Sequence, residues 1–253
     1  MGSARQKACL AAMGVDVWVR RTPEVDSVTR PRTRRESAAS EAKPPEAAAA
    51  AAADVQAIAA PSATPLLDWE TLAARVAACT TCELHQGRTQ TVFGTGNRGA
   101  DWLIIGEAPG AEEDKRGEPF VGRAGQLLTS MLGALGLPRP QVYIANILKC
   151  RPPSNRDPKP EEVACCEQYL FNQIALLNPR IILAVGRIAA QNLLKTQTPI
   201  GKLRGHRHAF GIQEIPVVVT YHPAYLLRSP GEKRKAWEDL LFARQVFESL
   251  PGR

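Results

Sequence analysis

Four cysteines constrain this chain more than any other feature. Cys79 and Cys82 form a C-x-x-C pair, Cys150 follows 68 residues later, and Cys166 comes 16 residues after that. One C-x-x-C turn can supply two of the four thiolates that a cubane iron–sulfur cluster draws from separate segments. The spacing alone also admits structural zinc, because long gaps between ligand pairs are permitted, although a second tight pair is missing. Unrelated buried thiols are the third reading. The segments between the cysteines separate these alternatives.

Three motifs do so, two between Cys82 and Cys166 and one beyond Cys166, each after a short apolar, β-branched run. Gly106-Glu107-Ala108-Pro109-Gly110 follows Trp102-Leu103-Ile104-Ile105. Asn146-Ile147-Leu148-Lys149-Cys150-Arg151-Pro152-Pro153 follows Val142-Tyr143-Ile144-Ala145, and His222-Pro223-Ala224-Tyr225-Leu226-Leu227-Arg228 follows Val217-Val218-Val219-Thr220. Each motif therefore sits at the carboxyl end of a strand, where open α/β sheets bind ligands. Strands alternate with helices expected from Asp68 to about Ala78, Arg123 to Leu135, Pro160 to Leu177, Gly186 to Leu194 and Glu232 to Leu250. The pattern predicts one three-layer α/β/α domain with a short, mostly parallel central sheet.

The remaining composition sets the organisation. The 253 residues carry 32 Lys+Arg against 25 Asp+Glu, a net charge of +7 that suits a polyanionic partner. No apolar run approaches the roughly 18 residues of a membrane-spanning helix, and no secretion signal is evident at the start. Free cysteines and a cluster imply a reducing, cytoplasmic setting, with association to the nucleoid. Residues 23–66 are rich in Ala and Pro, with seven consecutive alanines at Ala47 to Ala53, and read as a disordered linker. Residues 1–22 form a separate short segment with apolar Leu10, Met13, Val15 and Trp18. Two readings of it stand: a frayed start, or a docking peptide that orders on a partner. Its Leu-x-x-Met-Gly-Val-x-x-Trp-x-x-Arg pattern is similar to the segment by which the psi subunit of the bacterial clamp loader docks on chi, which implies a replisome partner. Residues 67–253, which carry the motifs, are expected to form the folded domain.

From about Leu67 to Leu250, these motifs together with Gly117-Glu118-Pro119-Phe120-Val121-Gly122-Arg123-Ala124-Gly125 resemble the family 4, iron–sulfur branch of the uracil-DNA glycosylases. The resemblance implies a monomer that hydrolyses the N-glycosidic bond of deoxyuridine in single- or double-stranded DNA, in base excision repair. It implies a structural [4Fe–4S] cluster on Cys79, Cys82, Cys150 and Cys166. Neighbours on a helix point about 100° apart, so one of Cys165 and Cys166 can face a cluster, and the family spacing selects Cys166.

The implied chemistry assigns further residues. Cleavage leaves a uracil anion and an oxocarbenium-like sugar, so the site must stabilise charge on a uracil oxygen and position water. His222 is expected to donate to uracil O2, and Asn146 to pair with N3–H and O4. Phe120 offers a stacking face. Glu107 is expected to hold water or offset sugar charge, with a structural role in its own loop as the alternative; where the wider superfamily often carries an acid, Ala108 stands. The backbone N–H groups of Gly106, Glu107, Ala108 and Gly110, in the loop that also holds Pro109, are expected to donate to uracil O2, and Glu113 matches the position that crowds a thymine methyl. Arg204 and Arg228 are expected on phosphates, within a basic set that includes Lys149 and Arg156, and Leu226 or Leu227 in the base stack. Two other functions compete: a non-catalytic iron–sulfur nucleic-acid-binding protein, and a covalent uracil-DNA trap. The second needs an Arg-Arg-Ile-His insertion, and Pro152 to Pro160 contains no His.

Overall fold

A computed structural model describes residues 67–252. The docking segment 1–22, the linker 23–66 and Cys9 lie outside the described residues. The first helix, α1 (Trp69–Ala77), starts as expected on Asp68, whose Oδ1 accepts the Thr71 N–H at 2.7 Å. Leu72 and Val76 are its buried stripe. A single turn, α2 (Leu84–Gly87), follows the C-x-x-C pair.

The sheet contains β1 (Thr95–Gly96), β2 (Trp102–Gly106), β3 (Tyr143–Asn146), β4 (Ile181–Val185), β5 (Arg207–Phe210) and β6 (Ile215–Thr220). Their spatial order is β1-β3-β2-β4-β6-β5. The central four are parallel, and both edge strands pair antiparallel. Every residue of β2, β3, β4 and β6 is buried, as expected of strands covered on both faces.

Alternation along the strands builds two cores. Leu103, Ile105, Ile182, Ala184, Val217 and Val219 face one side, where α5 (Pro160–Leu177) and α6 (Arg187–Leu193) supply Leu170, Ile174, Ala189 and Leu193. Trp102, Ile104, Ile181, Leu183 and Val218 face the other, against α4 (Arg123–Leu135), α8 (Pro223–Arg228) and α9 (Lys233–Glu248). Two short helices, α3 (Ala111–Arg116) and α7 (Ile200–Leu203), complete the set. The expected three-layer α/β/α architecture is what forms. No described helix is long and apolar enough to cross a membrane.

Candidate active site

The parallel register places the three motifs side by side. Gly106, last in β2, is opposite Asn146, last in β3. The chains stay paired beyond the strands: Ile147 N–H donates to Gly106 O and Leu148 N–H to Glu107 O, both at 3.0 Å. On the other side Val185 is opposite Thr220, and Gly186 N–H donates to Thr220 O at 2.8 Å. His222 therefore emerges two residues beyond β6, beside the end of β4.

Two glycines make this convergence sterically feasible. A Cβ on Gly106 would stand 2.5 Å from both Asn146 Oδ1 and Phe120 Cζ. Gly186, at φ 100° and ψ 166°, occupies a region that is essentially glycine's alone, and a Cβ there would meet His222 Cβ at 2.9 Å. Gly186→Ala should cost about 1–3 kcal/mol of stability. It should also lower excision more than that loss explains, because the same Cβ displaces His222. Denaturant unfolding and initial rates on the soluble fraction check both.

His222 caps α8, with Nδ1 accepting the Ala224 N–H at 3.1 Å. That bond fixes the neutral tautomer with its proton on Nε2. Burial, reinforced by the Arg228 charge and opposed by Glu113, pushes the imidazole down to about 4. The ring lies 5.7 Å from that of Phe120, centroid to centroid, with the planes 33° apart. Asn146 is buried, and its Oδ1 has no hydrogen-bond partner. A buried, unpaired carbonyl costs on the order of 1–3 kcal/mol, so the position is maintained against stability.

Phe120 is buried, and its φ of 55° is a strained value for an aromatic residue. Two side chains hold it there. Glu113 Oε1 accepts the Val121 and Gly122 N–H groups at 2.9 and 3.0 Å. Arg139 donates to Phe120 O at 3.2 Å and to Pro119 O at 2.9 Å. Glu113 is thus a clamp for the Phe120 loop as well as a cleft wall. Arg139 carried no motif signal in the sequence.

Glu113, Phe120, Gly122, Asn146 and His222 border a cleft of about 490 Å³, together with Glu107, Ala108, Pro109, Gly110 and Arg228. Glu107 is half-buried there. Burial, followed by repulsion from Asp157, pushes its carboxyl up to about 7, against the attraction of Arg187. Asp157 and Arg187 are themselves an ion pair at 2.5 Å, and neither was singled out by the sequence.

The expected DNA contacts divide. Leu226 is 1 % exposed and belongs to the core under α8, so it cannot wedge into a base stack; Leu227, at 37 %, is the outward member of the pair. Arg204 is not on the surface either. It forms a bidentate pair with buried Asp239 at 2.6 and 2.9 Å and lies over the Tyr221 ring, so it is tied into the fold. Arg156 is held by Glu162, and Lys149 is fully buried. Arg228 stays on the rim of the cleft.

The cysteines gather on the far side of the β2–β3 loops. Cys79, Cys82, Cys150 and Cys166 line one small cavity of about 10 Å³. Cys165 borders it too, a placement that the 100° argument did not anticipate, while Cys166 is the more buried of the two. N–H groups point at the sulfurs: Arg88 Nη1 donates to Cys150 Sγ at 3.2 Å and Lys149 N to Cys166 Sγ at 3.3 Å. Arg88 also fastens the C-x-x-C turn through Cys79 O and Ala77 O, both at 2.9 Å. Burial raises the Cys150 thiol and takes Cys166 to about 11. No three His, Cys, Asp or Glu among the described residues form a site for a single metal ion. Four thiols on one cavity, with N–H groups donating to two of the sulfurs, are a donor set suited to a thiolate-ligated group of net negative charge.

The comparisons with known proteins agree with this geometry. Residues 93–241 match the family model described as the uracil DNA glycosylase superfamily. The type-4 uracil-DNA glycosylase of Thermotoga maritima is 46 % identical over 182 residues, covering 71 % of this chain and 94 % of the relative. That of Archaeoglobus fulgidus is 46 % identical over 162 residues, 61 % of this chain and 81 % of the relative. A type-5 uracil-DNA glycosylase from Pyrobaculum aerophilum is more distant, 31 % identical over 151 residues, 54 % of this chain and 66 % of the relative. With cleft, fold and relatives in agreement, the chain belongs to the uracil DNA glycosylase superfamily and groups with its type-4 members.

Proposed function

We propose that this chain is a monofunctional uracil-DNA glycosylase of base excision repair, which hydrolyses the N-glycosidic bond of deoxyuridine and leaves an abasic site. The observation that carries the reading is a pair of complementary groups on one cleft. His222 has Nδ1 occupied and an Nε2–H left to donate, and Asn146 has a buried carbonyl with no partner.

A uracil flipped out of the stack satisfies both. Its N3–H donates to Asn146 Oδ1, the Asn146 amide N–H donates to O4, and one ring face lies on Phe120. Cytosine presents an amine at the 4-position and no N3–H, so both Asn146 bonds fail. As the C1′–N1 bond breaks, its electron pair goes to the base, and His222 Nε2–H holds the charge on O2. A neutral imidazole serves, because the donor need not give up its proton. Water then adds at C1′, and Glu107 takes the proton it loses. Arg228 and Leu227 are the DNA contacts on the rim, the first on phosphate and the second in the vacated stack.

The four cysteines Cys79, Cys82, Cys150 and Cys166 would hold a [4Fe–4S] cluster. Such a cluster fixes the C-x-x-C turn to the loop after β3, and no step of the reaction runs through it. The enzyme is read as a monomer that works on chromosomal DNA, with a replisome component as the partner of residues 1–22.

Glu107 gives a pH test with a defined sign. A carboxyl raised to about 7 binds its proton more tightly folded than unfolded. Stability is therefore lost as pH rises from about 4.5 towards 7. Glu107→Gln should melt higher than wild type at pH 8, with the gap closing near pH 5. Excision by wild type should rise with pH through about 7, and this limb should be absent in the Gln variant. Melting curves and single-turnover rates from pH 5 to 9 read both.

Oligonucleotides identical except for U, T or C at one position test the substrate. Alkali-labile breaks should appear at U alone; equal breakage at T or C would refute the base recognition.

A further inference from the structure

Lys149 is the largest fully buried side chain of the domain and has no part in the chemistry above. A buried ammonium is costly unless each of its needs is met. Here Nζ donates to Asn146 O at 2.9 Å and to Gln173 Oε1 at 2.6 Å. Gln173 is itself fixed, with Nε2 donating to Phe93 O at 2.9 Å and to the Tyr143 hydroxyl at 3.3 Å. The backbone of Lys149 works in the opposite direction. Its N–H donates to Cys166 Sγ at 3.3 Å, and its carbonyl accepts Val92 N–H at 2.8 Å. One residue thus touches the main chain of the base-reading Asn146 and a sulfur of the cysteine cavity.

From these contacts we infer that Lys149 is a positioning residue that couples the two sites. Its ammonium offsets the negative charge of four thiolates and their cluster, and the same ammonium holds Asn146 at the end of β3. A cluster in place stabilises the cation, and the cation sets where the Asn146 amide meets the base. Such coupling is reciprocal: weakening the cation must loosen the iron and the uracil contact together. Asn146 O lies two bonds from the Asn146 Cα, so a lost anchor moves the amide without altering the cleft walls. The inference rests on the iron–sulfur reading, and the iron content of the wild-type protein tests that reading separately.

A purely structural Lys149 makes a different forecast from a coupling one. Removing one buried partner leaves the other unsatisfied, whereas replacing both by apolar groups can be nearly neutral. Lys149→Met keeps the length and loses the charge; Lys149→Met with Gln173→Leu also removes the orphaned acceptor. All three proteins are purified anaerobically and assayed for iron per chain, melting temperature, bleaching near about 400 nm under a chelator, and KM and kcat on a uracil oligonucleotide. Both variants are expected to melt lower than wild type, the double one also because Gln173→Leu strips Phe93 O and the Tyr143 hydroxyl of their Nε2 donor. In both variants bleaching should remain about tenfold faster than in wild type, and KM about tenfold higher. Affinity for an abasic-site duplex, which has no base for Asn146 to read, should be unchanged. If the double variant bleaches and turns over like wild type, Lys149 only satisfies the core and the coupling is refuted. Wild-type bleaching and KM in the single variant refute it as well, and so does a rise in KM with no change in bleaching. Should the single variant not fold, the double variant alone decides. A wild-type protein free of iron instead refutes the cluster reading.

Discussion

A His222→Ala variant is expected to release uracil about 100-fold more slowly than wild type, or slower still, on the scale of one lost oxyanion donor. The size of the effect follows from how the side chain is prepared. Its Nδ1 is already engaged by Ala224 N–H, so the imidazole pays no reorganisation when charge develops on the base. Its low pKa keeps it neutral at working pH, so a charged donor does not bind the ground state too. The loss should therefore appear in kcat more than in KM. Affinity for undamaged duplex DNA should barely change, because His222 lies inside the cleft, away from the phosphate-facing rim. Rates on U·A and U·G duplexes, measured under single turnover, report the effect; a wild-type rate would remove His222 from the mechanism.

Loss of one cavity thiolate should do comparable damage by a different route. Cys150 lies between the end of β3, which carries Asn146, and the Arg-Pro-Pro loop, so a cluster there would fix main chain that lines the cleft. Cys150→Ala should lose the brown absorbance near about 400 nm and melt about 10 °C lower or more, as expected when several kcal/mol of ligation are removed from a domain of this size. Excision should fall with the folded fraction. Cys165→Ser is the control: it borders the same cavity but is not a proposed ligand, and should keep full iron. Stoichiometric zinc without iron or sulfide in the wild-type protein would overturn the assignment.

Much of the domain was legible because its signals were local. The apolar periodicity of α4 and its glycine stop gave both ends of that helix, and Pro160 marked the start of α5. The short edge strands were not legible: β1 has two residues, and β5 alternates half-exposed residues without an apolar face. The three strand-end motifs were legible as motifs, but their meeting at Gly106 depends on register, which no local pattern encodes. Burial was the main source of error. Lys149, Arg156 and Arg204 were read as surface cations by residue type, and each turned out to be held by a tertiary partner far along the chain or across a loop. Leu226 and Leu227 are equivalent in sequence; only the packing of α8 on the core separates them. Arg88 and Arg139, which fasten the cysteine turn and the Phe120 loop, act through backbone carbonyls and so leave no motif.

Hydrolytic turnover of deoxyuridine is measured by a mass balance on the base. A duplex carrying one uracil labelled in its ring is incubated in excess over the protein, and free uracil is counted against alkali-labile sites and protein–DNA adducts. Many equivalents of free uracil per chain are expected, with an equal number of abasic sites and no adduct. Release of one equivalent or less, with the DNA bound covalently to protein or left intact, would contradict hydrolytic turnover.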